Sequence, residues 1–240
     1  MLDTIRIILI ETSHPGNIGS VARAMKTMGL KHLYLVNPIH FPDPKANELA
    51  SSAVDILDNA TVVKTLDEAS ADCHLIVGTS TRSRTIPWPM LSPRALAEKV
   101  RDNSDAMKTA ILFGREQSGL TNEELHRCHF HVQIPANPEY SSLNIAAAVQ
   151  VIAYELRLAS LTETVANTWD YPMATAQELE GFYDHLEKVL TMLEFLNPKA
   201  PRQLMPRLRR LFARATPDAM EINILRGILT SVEKKNDRKI

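Results

Sequence analysis

Continuous apolar runs alternate with helical patterns along the first 160 residues of the chain. Runs without polar alternation are typical of strands buried on both faces of a parallel sheet. Six such runs are predicted as strands: Ile5–Ile10, Leu33–Val36, Thr61–Val63, Leu75–Gly78, Ala110–Phe113 and His131–Ile134. Because helical segments separate them, the pattern predicts an α/β fold, with a mostly parallel sheet covered by helices on both faces.

Capping residues predict where the helices begin. Three pairs have the spacing of a capping box: Thr65 with Glu68, Thr121 with Glu124, and Thr175 with Glu178. Ser92 before Pro93 suits an N-cap followed by a first-turn proline. A long helix is predicted from Asn144 to about Leu161. Its first half is apolar almost all round, which favours burial against the sheet or against a second subunit.

The last quarter of the chain has a purely helical pattern. Three helices are predicted at about Ala176–Phe195, Arg202–Ala215 and Pro217–Lys234, with Thr216 as the N-cap of the last one. The segment before them loses periodicity. We therefore predict an α/β domain over residues 1–162, a linker over 163–175 and a small all-helical domain over 176–240.

Composition and charge narrow the class of protein. Hydrophobic residues make up 45% and charged residues 23%, which is ordinary for a globular protein, and the net charge is −1. Residues 176–240 hold 12 Lys and Arg against 9 Asp and Glu, so attraction to a nucleic acid would have to be local. The N-terminus lacks the pattern of a signal peptide, and no run approaches the ~20 apolar residues of a membrane span. We expect a cytoplasmic protein without membrane contact.

The loop after the first strand lacks the glycine-rich signature of a dinucleotide or phosphate site. Instead Asn17 and Gly19 suit the start of a helix whose apolar stripe faces the core. Arg23 lies off that stripe. It is either a surface arginine or part of a site, and spacing alone does not decide.

Two further loops carry polar residues between a strand end and a helix start. In the first, Arg115 and Glu116 follow a buried strand, although Gly114 and Gly119 also suit a plain tight connection. The second, residues 134–144, is rich in hydroxyls and amides that could hold a small polar ligand. Its alternative is a helix capped by Ser141 or Ser142. Ligands of α/β sheets bind at the carboxyl ends of strands, so these loops are expected to converge on one site.

A fourth loop and the tail offer basic residues. Arg82 and Arg84 could contact phosphate, with an exposed Trp88 stacking on a base, or the loop is merely solvated. The tail has a stretch with six basic residues and no acidic one: Lys199, Arg202, Arg207, Arg209, Arg210 and Arg214. Phosphate attraction and a solvated helix face are both compatible with it. A cluster at His126, Cys128, His129 and His131 lacks the spacing of a metal site, and no metal is expected.

Three of these segments, in this order, resemble the signature motifs of the SPOUT superfamily in its tRNA/rRNA ribose methyltransferase branch: Gly16–Arg23, Phe113–Leu120 and Asn137–Asn144. The resemblance implies a SPOUT α/β knot, in which the chain forms a deep trefoil knot, and a homodimer with a composite site. It also implies S-adenosylmethionine as the cofactor. The expected reaction is 2′-O-methylation of the ribose of cytidine or uridine at position 32 of the tRNA anticodon loop.

The resemblance also assigns site residues. Those expected at the cofactor are Thr79, Ser80, Thr81, Gly114, Ile134, Ser141, Ser142 and Leu143. Those expected to act in catalysis are Arg23, Asn17, Ser142 and Asn144. Those expected to bind RNA are Arg82, Arg84, Arg115, Arg202, Arg207, Arg209, Arg210 and Arg214.

A guanidinium stays protonated, so Arg23 is expected to grip a phosphate and stabilise negative charge rather than act as a base. Glu116 is expected to hold either Arg115 or Arg23. Two alternatives stay open: an rRNA ribose methyltransferase of the same class, and a catalytically silent RNA-binding scaffold.

Overall fold

The apolar runs form one parallel sheet. The structure, a computed structural model, describes residues 1–80, 88–102, 107–162 and 171–237. In that part of the chain seven strands pair in the order β3-β2-β1-β6-β4-β7-β5, all in parallel. The strands are β1 (Ile5–Ile10), β2 (His32–Val36), β3 (Thr61–Val63), β4 (Leu75–Thr79), β5 (Met90–Leu91), β6 (Thr109–Phe113) and β7 (Phe130–Val132).

Helices cover the sheet and form the tail. In chain order they are α1 (Pro15–Met28), α2 (Pro44–Ala50), α3 (Val54–Asp58), α4 (Leu66–Ser70), α5 (Pro93–Asp102), α6 (Asn122–His126), α7 (Ile145–Ser160), α8 (Ala176–Met192), α9 (Leu204–Ala215) and α10 (Ala219–Asp237). Side chains of β1 alternate between two cores. Ile5, Ile7 and Leu9 pack with α1, α5 and α7, whereas Ile8 and Ile10 pack with α4 and α6 on the opposite face. The predicted α/β class, with helices on both faces, is confirmed; the trefoil knot stays a prediction from the resemblance.

The tail helices have a core of their own. Phe182 and Tyr183 of α8 pack with Phe212 of α9 and with Ile222 and Leu229 of α10. The tail also contacts the α/β part, because backbone N–H groups at the start of α8 donate to the carbonyls of residues 71 and 73. The predicted all-helical C-terminal part is therefore present. Most of the predicted linker, residues 163–170, lies outside the described residues.

The helix caps follow the sequence with three exceptions. Complete capping boxes form at Thr121 with Glu124 and at Thr175 with Glu178, and Ser92 caps α5. The predicted capping box at Thr65 is incomplete, because the carboxylate of Glu68 accepts from the N–H of Lys64. Asn144 caps α7 instead of Ser141 or Ser142. Asp218 caps α10 instead of Thr216. Thr216 instead ends α9 in a left-handed conformation, so it is not available to start the next helix.

Candidate active site

The loops at the carboxyl ends of four strands line one cleft. Its volume is about 620 Å³, within the range of small-molecule sites. The predicted site residues that line it are Asn17, Thr79, Ser80, Gly114, Arg115, Ile134, Ser141, Ser142, Leu143 and Asn144. The structure thus brings together the loop after β1, the loop after β6 and the segment before α7. Residues 17 and 144 are far apart in the chain, and the parallel sheet places them at the same edge.

The loop after β6 is closed on itself. The backbone groups of Arg115 and Gly119 bond each other in both directions, at 3.2 and 2.8 Å. Gly119 has φ +71°, a conformation that side chains other than glycine rarely adopt. A Cβ at Gly114 would lie 2.1 Å from the carbonyl carbon of Gly119, so a larger residue cannot fit without opening the loop. The turn therefore requires both glycines, which agrees with the alternative that Gly114 and Gly119 form a tight connection.

Two carboxylates hold the guanidinium of Arg115. Its Nε donates to Glu11 at 2.8 Å, and its two terminal nitrogens donate to Glu124 at 3.1 and 3.0 Å. These hydrogen bonds raise the pKa of Arg115, the bond to Glu11 having the largest effect. The side chain is 23% exposed. These bonds give the guanidinium a structural role in the cleft lining. That Arg115 also binds RNA stays a prediction.

Glu116 ties the loop after β6 to the start of α1. Its carboxylate accepts from the backbone N–H groups of Ser13 and His14 at 3.2 Å and from Asn17 Nδ2 at 3.1 Å. Burial raises the pKa of Glu116, but hydrogen bonds from Asn17 and the backbone lower it further, leaving it below the usual value. The expectation that Glu116 holds Arg115 or Arg23 is wrong, because its partners are those of the first loop.

Asn17 continues this network to the third loop. Its Oδ1 accepts from Asn144 Nδ2 at 3.0 Å, while Asn144 Oδ1 accepts from the N–H of Ala146 at 2.9 Å and caps α7. Glu116, Asn17 and Asn144 therefore form a chain of hydrogen bonds that joins all three loops. Because both oxygen and amide nitrogen of each asparagine are used, the orientation of both side chains is fixed.

The opposite wall of the cleft carries hydroxyls and backbone groups. Thr79 donates its hydroxyl to the carbonyl of Leu112 at 2.9 Å, and the N–H of Ser80 donates to the carbonyl of Val132 at 3.1 Å. Ser141 is half-buried, whereas Ser142 and Leu143 are exposed at the rim. Such a wall suits a ligand with several polar groups along its length. Thr81 lies outside the described residues, as do Arg82 and Arg84.

Two predicted features lie elsewhere. Arg23 is exposed on α1 and does not line the cleft of its own chain. Trp88 was expected to be exposed for base stacking, and this is wrong. Its ring is 6% exposed, stacks with His126 and His131, and donates its Nε1–H to the carbonyl of Cys128 at 2.8 Å. The sequence showed only a tryptophan in a polar loop, and its burial depends on packing against distant segments.

The basic residues of the tail differ from one another. Arg202, Arg207 and Arg214 are exposed, and Arg210 is half-buried. Arg209 instead forms two hydrogen bonds with Glu180, at 2.6 and 2.7 Å, and its guanidinium lies over the ring of Tyr183. These contacts hold α9 against α8. That Arg209 also binds RNA stays a prediction.

Sequence reasoning overlooked His14 and Tyr140, which also line the cleft. Both stand next to residues that were singled out, so a search of the whole converging loops would have included them. His14 caps α1 in an extended conformation, and Tyr140 is 79% exposed. Each adds a side chain to the converging loops that the sequence-based prediction had not assigned to the site.

Comparison with protein families supports the assignment of this cleft. Residues 4–154 match the model of the SpoU rRNA Methylase family. The chain belongs to the SpoU methylase family. This match extends from the start of β1 into α7 and so includes all the loops of the cleft. A second model, for the C-terminal domain of the tRNA methyltransferase TrmJ, matches residues 177–240.

Individual relatives of this SpoU methylase extend over the whole chain. It is 56% identical over 240 residues to the tRNA (cytidine/uridine-2′-O-)-methyltransferase TrmJ of Pectobacterium atrosepticum, covering 99% of this chain and 100% of the relative. The crystal structure of TrmJ from Z. mobilis ZM4 has a TM-score of 0.83 at 35% identity and covers 95% of this chain and 98% of that one.

A more distant SpoU methyltransferase, AviRb from Streptomyces viridochromogenes, was solved in complex with AdoMet. It has a TM-score of 0.54 at 25% identity and covers 68% of this chain and 63% of that one. Across residues 1–80, 88–102, 107–162 and 171–237, no helix is long and apolar enough to cross a membrane.

Proposed function

We propose that this chain transfers a methyl group from S-adenosylmethionine to the ribose 2′-hydroxyl of cytidine or uridine in tRNA, at position 32 of the anticodon loop. The observation that carries the proposal is the single cleft joined by Glu116, Asn17 and Asn144. The full-length identity of 56% to a tRNA (cytidine/uridine-2′-O-)-methyltransferase supports the choice of substrate. A cytoplasmic location follows from that substrate and belongs to the same proposal.

The cleft fits S-adenosylmethionine by its size and its polar wall. A volume of about 620 Å³ is adequate for a nucleoside joined to an amino acid. Thr79, Ser80, Gly114, Ile134, Ser141, Ser142 and Leu143 would hold it, with Thr81 as a further candidate. When bound, the cofactor supplies a methyl group on a positively charged sulfur. The loops have to exclude water and align the ribose oxygen with that methyl group.

Arg23, Asn17, Ser142 and Asn144 are the proposed catalytic residues. Hydrogen bonds fix the side chains of Asn17 and Asn144, against which the ribose would bind. Ser142 is a further residue of the cleft lining. Arg23 does not line the cleft of its own chain, so we assign it to the cleft of a second subunit. There its guanidinium would grip a phosphate and stabilise negative charge on the oxygen.

An exposed apolar stripe on α7 supports the homodimer that this assignment requires. The inner face of α7 is buried through Val149, Ile152 and Leu156. Three large apolar side chains on the outer face of α7 and one at its C-terminal cap stay between 37% and 67% exposed: Val151, Tyr154 and Leu158, and Leu161. A stripe of this spacing on one helix is typical of a helix–helix interface. The sequence-based expectation of a second subunit is thus retained as a proposal.

Four arginines in α9 and just before it are proposed to contact the tRNA backbone; three are exposed, and Arg210 is half-buried. Arg202, Arg207, Arg210 and Arg214 belong to residues 176–240, which we propose as a tRNA-binding domain after a linker at 163–175, with the methyltransferase domain at 1–162. Arg82 and Arg84, which lie outside the described residues, are proposed for the same role. Contacts with phosphate give affinity without sequence preference, so the choice of nucleotide must arise in the cleft.

Nucleoside mass spectrometry after incubation with S-adenosylmethionine tests the proposal. Unmodified tRNA should gain one 2′-O-methyl group on a cytidine or uridine of the anticodon loop, and rRNA fragments should gain none. Methylation of the rRNA fragments alone would favour the rRNA alternative that the family description names. Absence of any methylation, together with no binding of the cofactor in calorimetry, would leave the RNA-binding scaffold.

A further inference from the structure

Methylation of a ribose hydroxyl requires a group that takes the hydroxyl proton, and the described cleft offers few. This question rests on the proposed function. Within the described lining, four side chains are titratable: His14, Arg115, Glu116 and Tyr140. The remaining polar groups are hydroxyls and amides, which do not accept a proton at neutral pH.

Three of these four side chains are poorly suited to accept the hydroxyl proton. Arg115 is a cation held by Glu11 and Glu124 and has no lone pair to offer. Both oxygens of Glu116 already accept hydrogen bonds, and its pKa is below the usual value, so it is a weak proton acceptor. The side chain of Tyr140 offers an O–H group, which is a hydrogen-bond donor and a poor base.

His14 differs from these three residues because its backbone is held in position while its imidazole has no bonding partner among the described residues. Its backbone N–H donates to Glu116 at 3.2 Å, and Pro15 follows it, so the backbone is restrained on both sides. Among the described residues no hydrogen bond or ion pair engages its imidazole, and His14 is an exposed residue of the cleft lining. Neutral imidazole is the side chain that exchanges a proton near physiological pH.

We propose that His14 is the proton acceptor of the reaction. The ribose oxygen forms a bond to the methyl carbon while the bond between that carbon and the sulfonium sulfur breaks, leaving a neutral thioether. The 2′-hydroxyl proton passes to the free ring nitrogen of His14 and from there to water. Arg23 keeps its role at the phosphate, and no arginine has to act as a base.

The test is a pH profile of single-turnover methylation of unmodified tRNA at saturating cofactor, for wild type, His14→Ala and His14→Gln. The wild-type rate should fall as the pH is lowered from 8 toward 5, because protonation removes the lone pair that a general base needs. Both variants should lose this dependence and react about 100-fold more slowly at pH 8. Added imidazole should restore part of the rate of His14→Ala. His32→Ala is the matched control, because His32 is exposed at the opposite end of the sheet.

Calorimetry of S-adenosylmethionine binding supplies a readout apart from turnover. An unchanged dissociation constant in His14→Ala, with the slow and pH-independent rate, supports the assignment. A wild-type rate in the variant overturns it. A slow variant that keeps the wild-type pH dependence, or that loses cofactor binding, also overturns it by showing a structural role. If wild type itself methylates no tRNA, the proposed function fails instead, and the two failures are distinguishable.

Discussion

Arg115 of the cleft and the exposed arginines of α9 occupy opposite surroundings. Arg115 has three nitrogen atoms bonded to carboxylates and is 23% exposed, whereas Arg207 and Arg214 of α9 project into solvent. A guanidinium held by carboxylates shapes the site around it, and an exposed one is available to a phosphate. The comparison indicates that the cleft depends on geometry and the tail on charge. Substitutions in the two regions should therefore differ in kind.

The largest effect is expected for Asn17→Ala. This change removes the bonds to both Glu116 and Asn144 and so separates the three loops. A displacement of about 1 Å at a reacting centre costs about 100-fold in rate. We expect the single-turnover rate of methylation to fall by about 100-fold with little change in tRNA affinity. Asn223→Ala, an exposed asparagine on α10, is the control. A fall in tRNA affinity without a fall in rate would contradict the geometric role of the cleft.

Arg115→Met should lower the free energy of unfolding. The variant leaves Glu11 and Glu124 without their partner in a partly buried setting, which costs about 2 kcal/mol after allowance for solvent. Urea unfolding measures this loss of stability. The control variant is Arg94→Met, because the side chain of Arg94 is 72% exposed. The control should change stability by less than about 0.5 kcal/mol. Equal losses in the two variants would remove the distinction between held and exposed arginines.

The tail should respond to salt instead. In the double variant Arg207→Ala/Arg214→Ala we expect tRNA to bind about tenfold more weakly and the dependence of log affinity on log salt to become shallower by about 1.5. The rate at saturating tRNA should stay unchanged. Filter binding at several salt concentrations measures both quantities. An unaltered salt dependence would show that these two arginines do not contact phosphate.

The smallest expected effect is on the stability of the fold at low pH. The pKa of Glu116 is lowered in the folded chain, so the stability that it contributes is present above its unfolded pKa of about 4.3 and lost as the pH falls through the folded value. Wild type should lose more stability than Glu116→Gln between pH 5 and pH 3 in urea unfolding. Identical pH dependence in the two chains would show that the network around Glu116 adds no stability.

Much of the fold follows from the sequence because parallel strands buried on both faces leave continuous apolar runs. β1 and β3 were predicted with their observed bounds, and the rule that loops meet at the carboxyl ends of strands predicted the cleft. The partners inside the cleft were not predictable. Glu116 bonds residues about 100 positions away, and no local pattern encodes such a pairing. Trp88 was misjudged for the same reason, since distant side chains bury it.

Binding of S-adenosylmethionine to two glycine variants tests the cleft most directly. Gly114→Val introduces atoms where a Cβ alone would approach the carbonyl carbon of Gly119 to 2.1 Å, whereas an added Cβ at Gly227 of α10 meets nothing within 4 Å. Calorimetry should find binding by wild type and by Gly227→Ala, and none by a folded Gly114→Val. Binding of equal strength by Gly114→Val, or none by wild type, would contradict the assignment of this cleft to the methyl donor.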